Sequence, residues 1–379
     1  MSRVIGQLIR RLLMLLVAFV PPILLAMAGY KALLRRIDVH LTRAQPIAVQ
    51  VAQSMLGRTV TVQKIQVGDG GITLARLEEA FRKPELFAAL PITVDGVTVG
   101  LKPEEAALAN LIPNPPKLLG QARRITLTVS VPALLGGKAN TEGIAQVDVE
   151  RPDGLLVRLK DGTFPIQNIL PRTAPPDYSK PPFQTLVRVK NGRGRVLDLA
   201  AKNGERVADN SVQDVNGYVD MLGTRQLRFA FSARARQGTP TARRITGGAT
   251  ISGSASRGPA GVRPDAPTKE SPRYVIEANA SGLDAAYWLH YAMPLEGLDI
   301  QQGRADVHAV AVGPRGDKYE GPHPPPILQA RARFAAANFT VTTMPDLPLQ
   351  NWGGNVVFND DRLDVDATGS VLGTPAALQ

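Results

Sequence analysis

One uncharged apolar run, Leu12 to Tyr30, stands ahead of residues 57–379, where apolar and polar residues alternate in short runs broken by Gly, Pro, Asn and Asp. Alternation by two places every second side chain on one face of a pleated strand. The long part of the chain is therefore constrained to be β, with one apolar and one wet face per strand. The pattern runs through Thr59-Val60-Thr61-Val62 with Ile65 and Val67, then Ile92-Thr93-Val94 with Val97 and Val99. It continues in Ile125 to Val131, Val147-Asp148-Val149, and Val187-Arg188-Val189 with Val196-Leu197. Leu227-Arg228-Phe229-Ala230-Phe231, Val307-His308-Ala309 and Val356-Val357-Phe358 repeat it.

Asp95-Gly96, Asp161-Gly162 and Asn191-Gly192 read as hairpin turns, where positive φ is wanted. Pro103 opens a short helix running to about Asn110, since Pro suits the first helical position. Thr173 to Pro182, Gly238 to Pro272 and Gly313 to Pro326 read as loops.

The apolar run is flanked by Arg3, Arg10 and Arg11 before it and by Lys31, Arg35 and Arg36 after it. Nineteen uncharged residues at about 1.5 Å each reach about 28 Å, enough to cross a hydrocarbon core. Ala26-Met27-Ala28 also resembles a signal-peptide cleavage site. An amphipathic stretch resumes at once through Leu33, Leu34, Ile37, Leu41, Ile47, Val51 and Leu56, which favours a retained anchor. The expected organisation is a tip and transmembrane anchor over 1–36, an amphipathic helix over 37–56, and a repetitive β-domain over 57–379 that continues beyond the given chain.

Aromatic residues make up only 5 % of the chain, so the apolar character comes from Val, Leu, Ile and Ala. That leans toward an extended sheet, because compact cores rest on large aromatic area. The net charge of +11 is spread along strands and loops without clustering, which argues for a solvated or headgroup-facing surface and against nucleic acid. The absence of cysteine removes disulfides, thiolate metal sites and thiol catalysis.

No constellation suits an enzyme. His40, His290, His308 and His323 lack metal-ligand spacing, and Gly192-Arg193-Gly194 lacks the third glycine of a dinucleotide fingerprint. Ser254 and Ser256 are wrongly spaced for a nucleophile elbow, and Asp360-Asp361 with Asp364 and Asp366 reads as turn and outward strand positions. No cofactor is expected. Tyr287-Trp288-Leu289-His290-Tyr291 is the densest aromatic cluster, expected to pack one end of the sheet.

The stretch Gly354 to Ser370, followed by Leu372-Gly373-Thr374-Pro375-Ala376-Ala377-Leu378, resembles the repeat of AsmA-like and TamB-like proteins. There, a strand ending in an Asx turn leads to an alternating Leu/Val strand and a Gly-x-Pro step. Val147 to Leu170 resembles a second signature of the same superfamily, and Val212 to Val219 and Ile300 to Ala305 are weaker echoes. The order of anchor, amphipathic helix and Leu56-Gly57-Arg58-Thr59-Val60-Thr61-Val62 also fits, most like the N-terminal part of a TamB-type protein.

The resemblance implies a mainly β fold: a transmembrane helix followed by an elongated, curled antiparallel β-sheet with an apolar groove. It implies a single-pass protein of the bacterial inner membrane with most of its chain in the periplasm. The groove would conduct phospholipid toward the outer membrane, with an outer-membrane β-barrel as a possible partner. Alternation alone favours a packed core for Val60, Val62, Ile125, Leu127, Val129, Val187, Val189, Leu227, Phe229, Phe231, Val356 and Phe358. The resemblance instead makes them groove-lining. The alternative function is an extracytoplasmic structural or protein-binding β-module assisting outer-membrane protein assembly. About 20 strands at ~4.8 Å would give a sheet of about 90–100 Å, short of a bridge between two membranes. A longer protein, or a short member handing lipid to a partner, is therefore expected.

Overall fold

The computed structural model describes residues 38–67 save 55, 89–106 save 104, 117–130, 133, 142–158, 184–198, 208–223, 226–237, 244–256, 274–285, 298–313 and 327–379 save 342 and 361. The Leu12–Tyr30 run, the Asp161-Gly162 pair, the Thr173–Pro182 stretch and the Tyr287–Tyr291 cluster lie outside the described residues. No helix among the described residues is long and apolar enough to cross a membrane.

Helix α1 covers residues 38–54. Fifteen strands follow: β1 (Val60–Thr61), β2 (Lys64–Val67), β3 (Ala89–Gly100), β4 (Leu118–Ser130), β5 (Ile144–Arg158), β6 (Leu186–Asp198), β7 (Ala208–Asp220) and β8 (Gln226–Gln237). The rest are β9 (Arg244–Ser256), β10 (Tyr274–Asp284), β11 (Leu298–Gly313), β12 (Ile327–Val341), β13 (Met344–Asn359), β14 (Arg362–Val371) and β15 (Thr374–Leu378). All belong to one curled sheet in chain order, with β1 and β2 both on the edge of β3. Neighbours pair antiparallel except β5 and β6, which run parallel, so the sheet is not antiparallel throughout as expected. The parallel join keeps the faces in phase, because Val147 meets Val187 and Val149 meets Val189.

Most strands are long, and many carry one left-handed residue near the middle. Gly96 in β3, Arg151 in β5, Asn191 in β6, Asp214 in β7, Gly247 in β9, Gly282 in β10, Gly303 in β11, Ala336 in β12 and Asn351 in β13 all have positive φ. From β6 to β13 these positions coincide with register shifts and form a seam of bulges that drifts across the sheet, whereas the pairing keeps its register across Gly96 and Arg151. Bulges bend a strand and increase its twist, so a row of them curls the whole sheet.

The extra N–H at such a residue needs an acceptor, and an Asx side chain on the next strand supplies it in three places. Asn191 N donates to Asn216 Oδ1 at 2.9 Å, Gly282 N to Asp306 Oδ1 at 2.7 Å, and Asn351 N to Asn338 Oδ1 at 2.9 Å.

The seam also resets the alternation. A Cβ on Gly192 would lie 3.4 Å from Val189 Cγ1 and 3.2 Å from Val215 Cβ, so positions 189 and 192 share a face although three apart. This corrects the turn reading of Asp95-Gly96 and Asn191-Gly192, which lie inside β3 and β6. Among the described residues there are 15 strands, and a bulged strand such as β6 reads in the sequence as two runs. The fourteen-strand path among the described residues spans about 62 Å at ~4.8 Å per strand.

A second correction concerns Gly238–Pro272, read as a loop, within which β9 lies. Its inward positions Ala249, Ile251, Gly253 and Ala255 do alternate, but all except Ile251 have side chains too small to give a hydrophobic signal. The helix predicted at Pro103 is present over its described residues, with Ala106 N donating to Lys102 O at 2.9 Å. Asp360, with φ of 57°, makes the expected turn between β13 and β14.

A local core forms where β12–β15 curl: Ala337, Trp352 and Ala367 are buried under Phe334, Phe339, Leu349, Val365 and Val371. Phe334 and Phe339 meet edge to face at 5.9 Å.

Candidate functional site: a continuous apolar face

Following the register from strand to strand yields unbroken apolar rows. One row reads Ile65, Val94, Ile125, Val149, Val189, Gly217, Phe231, Ile251, Ala278, Ala309, Ala330, Phe358 and Leu363, one residue from each of thirteen strands. The row beside it reads Val67, Ile92, Leu127, Val147, Val187, Val219, Phe229, Gly253, Ile276, Ala311 and Leu328. Neither contains a polar side chain. Beyond the seam, Val60, Val99, Gly120, Gly154, Gly194, Val212, Ala235 and Gly247 form a further row.

Burial shows what covers this face. Eight of the twelve buried apolar residues are alanines. The large side chains of the two long rows are half-buried except for Ile251 and Leu363, which are exposed at 40 % and 47 %, and Ile65, which is buried. A second sheet packed on top would bury Val, Ile and Leu most completely. Among the described residues there is no such sheet.

The twelve candidate residues sort cleanly. Ile125, Val189, Phe231 and Phe358 share the first row, and Leu127, Val187 and Phe229 share the second. Val129 pairs with Leu90 and Ile144, Leu227 with Ala255, and Val356 with Ala332 and Val365, each two residues along from a row member. Val60 lies beyond the seam and is buried at 4 % exposure. Val62 lies in the break between β1 and β2, where its carbonyl accepts from Gln45 Nε2 at 3.1 Å.

Sequence reasoning missed the small members Gly217, Gly253, Ala278, Ala309 and Ala330. The signal was present as alternating alanine, in Ala278-Ala280 and Ala330-Ala332 for example.

The glycines in these rows are occupied by neighbours. A Cβ on Gly217 would lie 2.4 Å from a ring carbon of Phe231, and one on Gly253 would lie 2.8 Å from Phe229. Tyr274 covers Gly313 in the same way, and Trp352 covers Gly369. Each ring lies across the next strand's glycine, a recurrent way of protecting glycine in a sheet. The aromatics therefore add apolar area while lying low on the face.

The opposite face is charged and wet. Arg124 Nε reaches Asp95 Oδ1 at 2.7 Å and Lys190 Nζ lies 3.5 Å from Asp148 Oδ1. His308 Nδ1 lies 2.7 Å from Asn279 Oδ1. On the apolar face, a depression of about 930 Å³ across β7–β13 is lined by Ala249, Ala280, Val307 and Ala332, each two residues along from a row member, together with the flanking Asn279, His308 and Arg331. No group of three His, Asp or Glu suited to a metal occurs among the described residues.

One edge of the sheet is sealed by α1. Asp38 Oδ1 accepts from Val67 N at 2.9 Å, Gln45 Oε1 from Ile65 N at 3.3 Å, and Gln53 Nε2 donates to Val60 O at 2.9 Å. Unpaired edge groups are a pairing hazard, and these helix side chains satisfy them.

Gly57, with φ of 59°, ends the helical region as a left-handed cap. The next residue, Arg58, pairs with Glu105, whose carboxylate also accepts from Lys102 N at 3.0 Å. Both side chains are buried, at 3 % and 8 % exposure. The hydrogen bond from Arg58 holds the Glu105 carboxyl below the usual carboxylate range against the opposing effect of burial. The same bond raises Arg58 above its ordinary value. The pair ties the helix end to the turn after β3.

No protein-family model matches the chain, and no curated protein matches it.

Proposed function

We propose that this chain is a membrane-anchored β-groove for phospholipid, held in the bacterial inner membrane by Leu12–Tyr30 with its sheet in the periplasm. It would carry acyl chains toward the outer membrane, where a β-barrel protein is the expected partner. The observation that carries this reading is the apolar row crossing thirteen strands from Ile65 to Leu363, which no second sheet covers among the described residues. Twelve intervals of ~4.8 Å make that row about 58 Å long, several times the ~15 Å depth of one leaflet.

At about 0.8 kcal/mol per methylene, an acyl chain leaving a bilayer for water loses about 10 kcal/mol or more. A continuous apolar surface removes that barrier without nucleophile or metal. The AsmA-like and TamB-like resemblance in Gly354–Ser370 and Val147–Leu170 supports the same reading.

The test is to purify the full chain in mild detergent, exchange it into lipid-free amphipol, and identify bound lipid by mass spectrometry. Phospholipid retained by the native chain and reduced at least fivefold by Phe229→Asp is expected. A native chain that retains no lipid contradicts the proposal.

A further inference from the structure

The exposed side of α1 carries an apolar stripe that the sheet does not use. Leu41, Gln45, Val49 and Ala52 lie on the sheet side and are half-buried. On the opposite side Val39 is 51 % exposed, Ile47 64 % and Val51 50 %. At about 100° per residue these three fall within an arc of about 120°, which they share with Arg43 and the uncharged polar residues His40, Gln50 and Ser54. Gln45, Gln53 and Asp38 spend their polar groups on the β1–β2 edge. The outward side is thereby left without a carboxylate and with Arg43 as its charge.

The covering this stripe needs follows from chain length and charge. Seven residues, 31–37, separate the apolar run from Asp38, the first described residue of the helix, and Lys31, Arg35 and Arg36 are among them. Fully extended, the eight steps from Tyr30 to Asp38 reach at most about 28 Å. With Leu12–Tyr30 spanning a bilayer, α1 cannot leave the membrane surface by more than that distance.

A helix with exposed Val and Ile beside basic residues suits the boundary between headgroups and acyl chains. Anionic lipid complements Lys31, Arg35, Arg36 and Arg43. The apolar area is modest, but tethering makes even weak binding effective.

We propose that α1 lies on the anionic membrane surface with Val39, Ile47 and Val51 dipped into it, so that the β1–β2 edge of the sheet is held at the bilayer. This rests on the anchor reading of Leu12–Tyr30. Row members Ile65 and Val67 would then sit where acyl chains enter, and α1 would be the docking element for the groove's mouth.

The absence of cysteine makes single-site labelling direct. The full chain is reconstituted into vesicles of phosphatidylglycerol and phosphatidylcholine with an environment-sensitive fluorophore on Ile47→Cys, Val51→Cys, Thr42→Cys or, within the apolar run, Val17→Cys. Fluorescence is quenched from within by spin-labelled lipid and from water by iodide. Labels at 47 and 51 should be quenched by lipid at least threefold more than the label at 42, with the difference shrinking when phosphatidylglycerol is omitted. Lipid quenching at 17 with only iodide quenching at 47 and 51 overturns the proposal and leaves the anchor standing. Iodide quenching at 17, 47 and 51 alike overturns both.

Discussion

Arg58 and Glu105, forty-seven positions apart, form a buried ion pair that joins the end of α1 to the turn leaving β3. Removing one partner strands a charge in a dry site, which typically costs about 3–5 kcal/mol. Arg58→Met is expected to lower stability by that order and to free the β1–β2 edge. Denaturant melts and hydrogen exchange at Val60 and Ile65 measure both effects.

The same pair sets an acid limb. Because the folded Glu105 carboxyl is held below its unfolded value, its stabilising contribution is present in full above about pH 4.3. It fades as the pH falls through the lowered folded value. Glu105→Gln should flatten that part of the stability curve while leaving the neutral-pH slope unchanged. A curve of wild-type shape below pH 4.3 would contradict the assignment.

The bulge seam predicts a gain as well as a loss. Ala336 holds φ of 51°, a region that costs a non-glycine residue about 1–2 kcal/mol. Offset by glycine's greater unfolded freedom, Ala336→Gly is expected to be neutral or stabilising by up to about 1 kcal/mol. Asn338→Ala, which removes the acceptor for Asn351 N, should cost about 1 kcal/mol. Thermal melts of the two variants therefore move in opposite directions or, at the least, separate clearly.

Gly369 is covered by Trp352, and a Cβ there would lie 2.5 Å from the indole ring. Gly369→Ala should destabilise by about 1–3 kcal/mol through overpacking. It should also displace Trp352, read as a red shift in fluorescence in a Trp288→Phe background.

Much of the architecture was legible in the sequence. Alternation placed Ile125, Leu127 and Val129, Val187 and Val189, and Leu227, Phe229 and Phe231 on one face, and the structure aligns them in neighbouring rows. Two features were not legible, each for a physical reason. Asn191-Gly192 carries the same chemistry in a bulge as in a hairpin, because both need positive φ. The distinction lies in Asn216, a partner twenty-five positions away. Strand β9 escaped because Ala249, Gly253 and Ala255 present little apolar area, and Gly253 is filled by Phe229 from the next strand.

The central claim is that the apolar face meets lipid. A photocrosslinking amino acid placed at Leu127, Phe229 or Ile251 of the full chain, and at the neighbouring Thr128, Arg228 or Ser252, tests it most directly in intact bacterial envelopes. Phospholipid adducts at 127, 229 and 251, and none at 128, 228 and 252, are the predicted result. Adducts to protein alone at the inward sites would contradict the lipid groove and show that another polypeptide covers this face.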